Sequence, residues 1–168
     1  MSEQFKQNKF HGKGKIINEK NELVYVGDFF EGYKHGFGNL IFEDKSYYEG
    51  NFINNNFNNK DKFVFNSGRC YNGKWKNNAM DGKGIFLWEN KDKYKGNYKN
   101  NMRDGNGIYS FWCNLYDGGR VSGMPLGEGT LLYERLRIVG KFRYGKILEI
   151  IENKGANKEL TEKYTIDS

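Results

Sequence analysis

The residues that could carry out catalysis in this chain are few and scattered. Gly140–Ile147 resembles the phosphate-binding loop Gly-x4-Gly-Lys-Ser/Thr, but its last position is isoleucine instead of the hydroxyl residue that would bind magnesium. His11 and His35 do not stand near a cysteine at a metal-ligand spacing. Cys70 and Cys113 form no CxxC motif, so they predict neither a zinc site nor a disulfide framework. We therefore predict no enzyme activity, no cofactor and no metal site.

Aromatic side chains are the residues best suited to binding. They make up 17% of the chain, and many recur at a constant spacing. Most of these rings are needed for a core, but a single-layer sheet cannot cover both of its faces, so some rings should line an open groove for a partner's helix or extended segment. The predicted groove consists of Phe29, Phe42, Phe52, Phe65, Trp75, Trp88, Tyr98 and Phe111.

Basic residues alternate with the rings between positions 74 and 103, and the chain has a net charge of +6. They predict an alternative function, a membrane-surface site for acidic phospholipids. Acidic neighbours such as Asp81, Glu89, Asp92 and Asp104 dilute the positive field, which favours a solvated surface and argues against nucleic-acid binding. The predicted lipid-binding face consists of Lys74, Lys76, Lys91, Lys93, Lys95, Lys99 and Arg103.

An internal repeat determines the elements that position these side chains. Copies of a Tyr-x-Gly-x-aromatic pattern follow one another at intervals of 22 or 23 residues, and a Gly-x-Gly pair stands eleven positions after most starts. Gly12 and Gly14 form the pair of a partial copy at 10–24. The second full copy has Asn59 and Asp61 in place of its glycines, and we expect its loop to be distorted or more mobile. The copies start at Tyr25, Tyr48, Tyr71, Tyr94, Tyr116 and Ile138.

Each copy has the pattern of a β-hairpin. Rings and a glycine alternate with other residues at period two in both halves, which is typical of strands with one buried face. The start tyrosines are predicted to be structural. Seven positions after each start stands a residue that readily adopts a left-handed turn conformation, namely Gly32, Asn55, Asn78, Asn101, Gly123 or Gly145.

One hairpin of about 23 residues cannot bury its rings alone, so the copies must stack edge to edge. We predict an all-β fold: an elongated, twisted, single-layer antiparallel sheet built from about six stacked hairpins, with a short non-repeat C-terminal tail.

This repeat resembles the MORN (membrane occupation and recognition nexus) repeat. The family's His-Gly-x-Gly is intact at His11–Gly14 and His35–Gly38, and the resemblance covers 10–145. Departures stand at Arg120, in place of an aromatic residue, and at Ile138, in place of the tyrosine. The resemblance implies a non-enzymatic scaffold that holds a protein partner in its aromatic groove, within a cytoskeletal or ciliary assembly such as an axonemal radial spoke.

The segments outside the repeats are short. Residues 1–9 are expected to form an N-terminal extension and 146–168 a C-terminal cap and tail, in which Ile147–Ile151 favour a final strand or a short apolar helix face. No stretch resembles a signal peptide or a membrane span. Together with the cellular locations that are typical of the family it resembles, this predicts a cytoplasmic protein associated with the cytoskeleton or a cilium. An exposed terminal strand can pair with a second copy, so a homodimer is an open alternative.

Overall fold

The computed structural model describes residues 5–6, 9–111, 114–133 and 135–155. These residues form strands and tight turns, and they contain no helix. A short pair of strands, β1 (Phe5–Lys6) and β2 (Lys9–Phe10), precedes a 13-stranded antiparallel sheet whose strand order follows the chain. The predicted all-β antiparallel fold is thereby confirmed. Cys113 and most of the predicted C-terminal tail, residues 156–168, lie outside the described residues.

The chain divides into two compact units, Met1–Gly82 and Lys83–Ser168. After β1 and β2, the first unit contains β3 (Gly12–Ile17), β4 (Leu23–Phe30), β5 (Tyr33–Ile41), β6 (Tyr47–Ile53), β7 (Asn56–Val64), β8 (Cys70–Lys76) and the start of β9 (Ala79–Leu87). The second contains the end of β9, then β10 (Lys93–Lys99), β11 (Met102–Phe111), β12 (Asn114–Val121), β13 (Met124–Tyr133), β14 (Leu136–Arg143) and β15 (Lys146–Lys154).

Each full copy of the repeat supplies one hairpin. From β4 onward, each even-numbered strand carries the Tyr-x-Gly-x-aromatic pattern or its weaker form, and the odd-numbered strand that follows completes the hairpin. The hairpin of the last copy consists of β14 and β15, with Arg143 paired to Lys146 and Phe142 to Ile147. The segment that begins at Lys146 is therefore a strand and not a helix.

The hairpin turns have the backbone geometry that the glycine and asparagine positions predict. Both central residues of each turn have positive φ, for example 49° at Asn77 and 66° at Asn78. Two consecutive residues of this kind are typical of a type I′ turn, whose twist matches that of the flanking strands. The six predicted left-handed residues are confirmed, with φ of 84° at Gly32, 68° at Asn55, 66° at Asn78, 68° at Asn101, 83° at Gly123 and 82° at Gly145.

A row of buried tyrosines forms the core of each unit. The start residues Tyr25, Tyr48, Tyr71 and Tyr94 are 0% exposed, and Tyr116 is 3% exposed. Each hydroxyl donates a hydrogen bond to the backbone carbonyl three residues later, as from Tyr25 to Asp28 at 2.9 Å. In the copies that start at Tyr25, Tyr94 and Tyr116, the register of the hairpin shifts at the residue whose carbonyl accepts this bond, so the hydroxyl satisfies a carbonyl at a β-bulge.

The copy that begins at Tyr48 keeps this geometry without its Gly-x-Gly pair. Asn59 takes a φ of 71°, the positive value that the first glycine adopts in other copies. The Asp61 carboxylate accepts hydrogen bonds from the Tyr48 hydroxyl at 3.1 Å and from the Asn51 N–H at 2.8 Å. The register shift of this hairpin falls between Glu49 and Asn51, one residue earlier in the repeat than in the copies that start at Tyr25, Tyr94 and Tyr116. An asparagine supplies the left-handed backbone conformation and a carboxylate binds the tyrosine, so the hairpin is kept without the two glycines.

Candidate partner-binding face

In each unit, most aromatic side chains lie on one face of the sheet, which we call the ring face, whereas exposed rings such as Phe30 and Phe37 lie on the other face. In the first unit, the Trp75 ring contacts the rings of Tyr48, Phe57 and Tyr71 at centroid distances of 5.8, 5.5 and 5.0 Å. In the second unit, the Trp88 ring contacts Tyr109 at 5.5 Å. Because successive side chains of a strand point to opposite faces, the residues between these rings lie on the other face.

Four residues of the predicted groove are part of the core and do not line an open surface. Phe29, Phe52, Trp75 and Tyr98 are between 1% and 9% exposed. The Phe52 ring shows the reason, since it packs edge-on against Tyr48 of its own copy at 5.1 Å and against Tyr25 of the preceding copy at 5.3 Å. A ring between two tyrosines of successive hairpins has little surface left for a partner.

The other four residues of the predicted groove stay partly exposed. Phe42, Phe65, Trp88 and Phe111 are half-buried near the ends of the second strands. Trp88 packs against Phe86 at 4.5 Å, and Phe111 stacks on Tyr109 at 5.3 Å. Phe63 and Tyr109 are half-buried beside them, and sequence reasoning left both out of the groove although they occupy the same alternating positions. The open part of the ring face is thus built mainly from second strands.

The predicted lipid-binding lysines lie elsewhere. Lys93 and Lys95 flank the buried Tyr94 on β10, so they point to the face opposite the rings. The same arrangement holds for Lys99 next to Tyr98 and for Lys74 and Lys76 on either side of Trp75. All five of these lysines, with Lys93 and Lys95 included, are exposed. Lys91 is exposed in the turn before β10, with a φ of 68°.

Arg103 does not lie with these lysines, although the sequence grouped them. It pairs across the hairpin with Tyr98, and directly paired residues share a face of the sheet. The Arg103 guanidinium lies on the ring face, over the rings of Trp88, Tyr94 and Tyr109 at 5.7, 5.7 and 5.4 Å. Of the residues predicted to bind lipid, only lysines therefore lie on the face opposite the rings.

The buried tyrosines have altered acidity. Burial is the main cause that raises the pKa of Tyr25 to about 12, with the charge of Asp28 as a second cause. Burial also raises the pKa of Tyr48, Tyr71, Tyr94 and Tyr116. The folded protein therefore holds these phenolic protons more tightly than the unfolded chain, in which the pKa of tyrosine is about 10.

We expect this protein to unfold cooperatively in alkali. The stability that the raised tyrosine pKa values provide is complete below about pH 10 and is lost as the pH rises through about 12. Loss of the far-ultraviolet circular dichroism signal should coincide with the part of the rise in phenolate absorbance that comes from the buried tyrosines. An absorbance rise that is complete while the sheet signal is unchanged would contradict this expectation.

Neither a metal site nor a membrane-spanning helix is found in the described part of the chain. No three His, Cys, Asp or Glu side chains come together there in a way that could hold a metal ion. The same residues include no helix that is long and apolar enough to cross a bilayer. Cys70 is half-buried, and burial raises the pKa of its thiol.

Four segments of the chain match the MORN repeat, at residues 4–18, 25–47, 71–93 and 94–111. The chain is a MORN-repeat protein. The MORN repeat is a non-catalytic repeat family, which suggests a protein-binding or membrane-binding role. The copies that start at Tyr48, Tyr116 and Ile138 fall outside the matches, yet each forms the same hairpin with the same turn. The first match begins at residue 4, inside the predicted N-terminal extension.

Comparison with solved structures gives a distant neighbour of this MORN protein. It is described as "SAS-4 (dCPAP) TCP domain in complex with a Proline Rich Motif of Ana2 (dSTIL) of Drosophila Melanogaster". The two chains are 12% identical with a TM-score of 0.45, over 77% of this chain and 78% of the other, and a similarity this low supports no functional argument. No curated protein sequence matches the chain.

Proposed function

We propose that this MORN protein is a non-enzymatic scaffold that binds a protein partner through the half-exposed rings of its ring face. The observation that carries the proposal is the contrast between a fully buried tyrosine row and the half-buried rings beside it. Aromatic rings that are held on a rigid base and are open on one side are typical anchors of protein interfaces.

The second unit presents this surface with Trp88, Tyr109 and Phe111. Trp88 and Phe111 both pack against Tyr109, so the three rings form one cluster. The Tyr109 hydroxyl donates to the Asp92 carboxylate at 2.8 Å, which fixes the central ring. A fixed ring loses little side-chain freedom when a partner binds, which favours affinity.

The wider setting of the proposal follows from the family resemblance. We place the protein in the cytoplasm, as a component of a cytoskeletal or ciliary assembly. Pairing of two copies through a terminal strand is a further part of this proposal, since β15 is an edge strand of the sheet.

A second candidate function is supported by the opposite face of the second unit. Lys95 there pairs directly with Ile108, which is 36% exposed, and Ile85 and Leu87 are exposed as well. Neither Lys93 nor Lys95 forms an ion pair within the described residues. Exposed lysines beside exposed aliphatic side chains suit a surface of acidic phospholipids.

We expect the double variant Trp88→Ala/Phe111→Ala to lose the protein partner. Aromatic hot spots each contribute at least about 2 kcal/mol, so partner recovery should fall by about 30-fold or more. The measurement is affinity purification of the tagged protein from its own cells at low and then moderate salt, with mass spectrometry of the proteins recovered. Circular dichroism of the variant checks that it is folded.

The matched control is Lys93→Gln/Lys95→Gln, which changes the opposite face and should leave protein recovery within about twofold. Loss of partners in this control, with full recovery in the ring variant, would contradict the proposal. Binding to vesicles of acidic phospholipid that decreases steeply with salt, and that the lysine variant lacks, would support the membrane function, because exposed charges are screened within about 8 Å at physiological ionic strength.

A further inference from the structure

Arg120 occupies a position that is aromatic in the other full copies. In the other copies that start with tyrosine, the ring four residues after the start packs edge-on against that tyrosine, at 5.1 Å for Tyr25 and Phe29 and at 5.3 Å for Tyr94 and Tyr98. The Arg120 guanidinium lies 4.7 Å from the Tyr116 ring and is 4% exposed, so it fills the same place in the core.

Arg120 lies close to Arg103 on the ring face of the second unit. The Arg120 guanidinium is 5.6 Å from the Tyr94 ring and 5.5 Å from the Tyr109 ring. The Arg103 guanidinium lies over the same two rings and over Trp88. Two cations that share two aromatic rings form one positively charged cluster, which also borders the partner-binding rings.

No carboxylate of the described residues lies within ion-pair distance of this cluster. Neither arginine forms an ion pair within the described residues. Asp92 is buried nearby in contact with the Tyr109 hydroxyl, and it bonds to that hydroxyl instead of a guanidinium. Burial lowers the pKa of Arg120, and the charge of Arg103 lowers it further, so the two cations are in unfavourable proximity.

The Arg120 guanidinium is also incompletely bonded. One terminal nitrogen donates to the Gly123 carbonyl at 2.9 Å, whereas the buried Nε has no hydrogen-bond partner among the described residues. A buried polar group without a partner is costly, and a buried cation without a counter-ion is more so. A ligand that supplies the missing anion would pair with the guanidinium and reduce this energetic cost.

We propose that Arg103 and Arg120 form an oxyanion-binding subsite of the ring face, which takes a carboxylate or phosphoryl group from the bound protein segment. Arg103, which is partly exposed, forms the entrance, and Arg120 forms the floor with its unpartnered Nε. Guanidinium groups bind planar carboxylates and phosphates through two parallel hydrogen bonds. This inference rests on the proposed function, because the subsite lies beside Trp88 and Tyr109.

The test uses the full chain and three blocked pentapeptides, Ala-Ala-X-Ala-Ala, in which X is glutamate, phosphoserine or glutamine. Nuclear magnetic resonance follows the side-chain Nε–H signals of the arginines during titration. We expect the acidic peptides to shift the Arg103 and Arg120 signals in a saturable way, and the glutamine peptide to bind at least tenfold more weakly. The acidic peptide that binds more tightly identifies the group as a carboxylate or a phosphate.

The decisive variant is Arg120→Phe, which restores the aromatic residue of the other copies. We expect it to unfold at an equal or higher temperature than the parent protein, because an apolar ring replaces a buried cation, and to bind the acidic peptides at least tenfold more weakly. Lys93→Gln/Lys95→Gln removes two positive charges from the opposite face, one more than Arg120→Phe removes, and should bind the peptides within about twofold of the parent.

Three outcomes would overturn the subsite. They are equal binding of the acidic and glutamine peptides, unchanged binding by Arg120→Phe, and loss of binding in the lysine variant. The affinity purification described above separates this failure from that of the proposed function. If Arg120→Phe recovers the cellular partner as well as the parent does while Trp88→Ala/Phe111→Ala loses it, the subsite is wrong and the partner-binding face stands.

Discussion

Replacement of Trp75 by alanine is expected to lower the free energy of unfolding by about 3–5 kcal/mol, the usual effect of removing a buried aromatic side chain. Trp75 is 8% exposed and packs against the rings of Tyr48 and Tyr71. Its indole N–H also donates to the Asp61 carbonyl at 3.2 Å, so the variant leaves that carbonyl without this bond. Urea denaturation followed by circular dichroism measures the effect.

Trp88→Ala is the matched control for this prediction. Trp88 is half-buried on the ring face, so we expect about half the loss of stability that Trp75→Ala causes. Trp75→Ala should therefore mainly lower the stability of the protein, and Trp88→Ala should mainly weaken partner binding. Equal destabilisation by both variants would show that the half-exposed ring is as much a part of the core as the buried one.

Gly38→Ala should be strongly destabilising although it adds only one methyl group. A Cβ atom at this position would lie 2.5 Å from the Tyr25 hydroxyl oxygen and 2.7 Å from the ring carbon that bears it. Tyr25 would have to move and give up its hydrogen bond to the Asp28 carbonyl. Overpacking of this kind costs about 1–3 kcal/mol, and the lost hydrogen bond adds about 1 kcal/mol.

Gly12→Ala provides the comparison in the same unit. Gly12 has a φ of 77°, but a Cβ atom there would meet no atom of the described residues within 4 Å, so only backbone strain of about 1 kcal/mol is expected. Thermal unfolding of both variants tests whether Gly38→Ala destabilises the protein more than Gly12→Ala does. A larger loss of stability for Gly12→Ala than for Gly38→Ala would mean that the tyrosine ring does not need the glycine surface beneath it.

The sequence predicts the hairpins of this protein well because their determinants are local. Period-two alternation indicates the strands, and glycine or asparagine seven residues after each start marks a turn whose left-handed φ the structure confirms, as at Asn78 and Gly123. The tyrosine core is also predictable, since one ring per hairpin recurs beside glycines. The Tyr48 copy is the exception, because nothing in the local pattern shows that Asn59 and Asp61 replace the missing glycines.

The open part of the ring face is less predictable. Phe52 and Trp88 are both aromatic residues in alternating strand positions, yet the first is 1% exposed and the second is half-buried. The difference depends on the neighbouring hairpin, since Phe52 lies between Tyr48 and the tyrosine of the preceding copy. Sequence periodicity gives the side of the sheet that a ring occupies, but not how much of that ring the adjacent hairpin covers.

By itself, then, the sequence determined the repeat, the antiparallel hairpins, their turns and the resemblance to the MORN family, because each of these is encoded within about 23 consecutive residues. Only the tertiary structure decided that Arg103 lies among the rings and that Arg120 takes an aromatic position next to it. Pairing across one hairpin places Arg103 opposite Tyr98 and over Tyr94 and Tyr109, and packing between successive hairpins brings Arg120 over the same two rings. The contacts of Arg103 with Trp88 and of Arg120 with Tyr94 and Tyr109 join residues from different copies, and no pattern within one copy contains them.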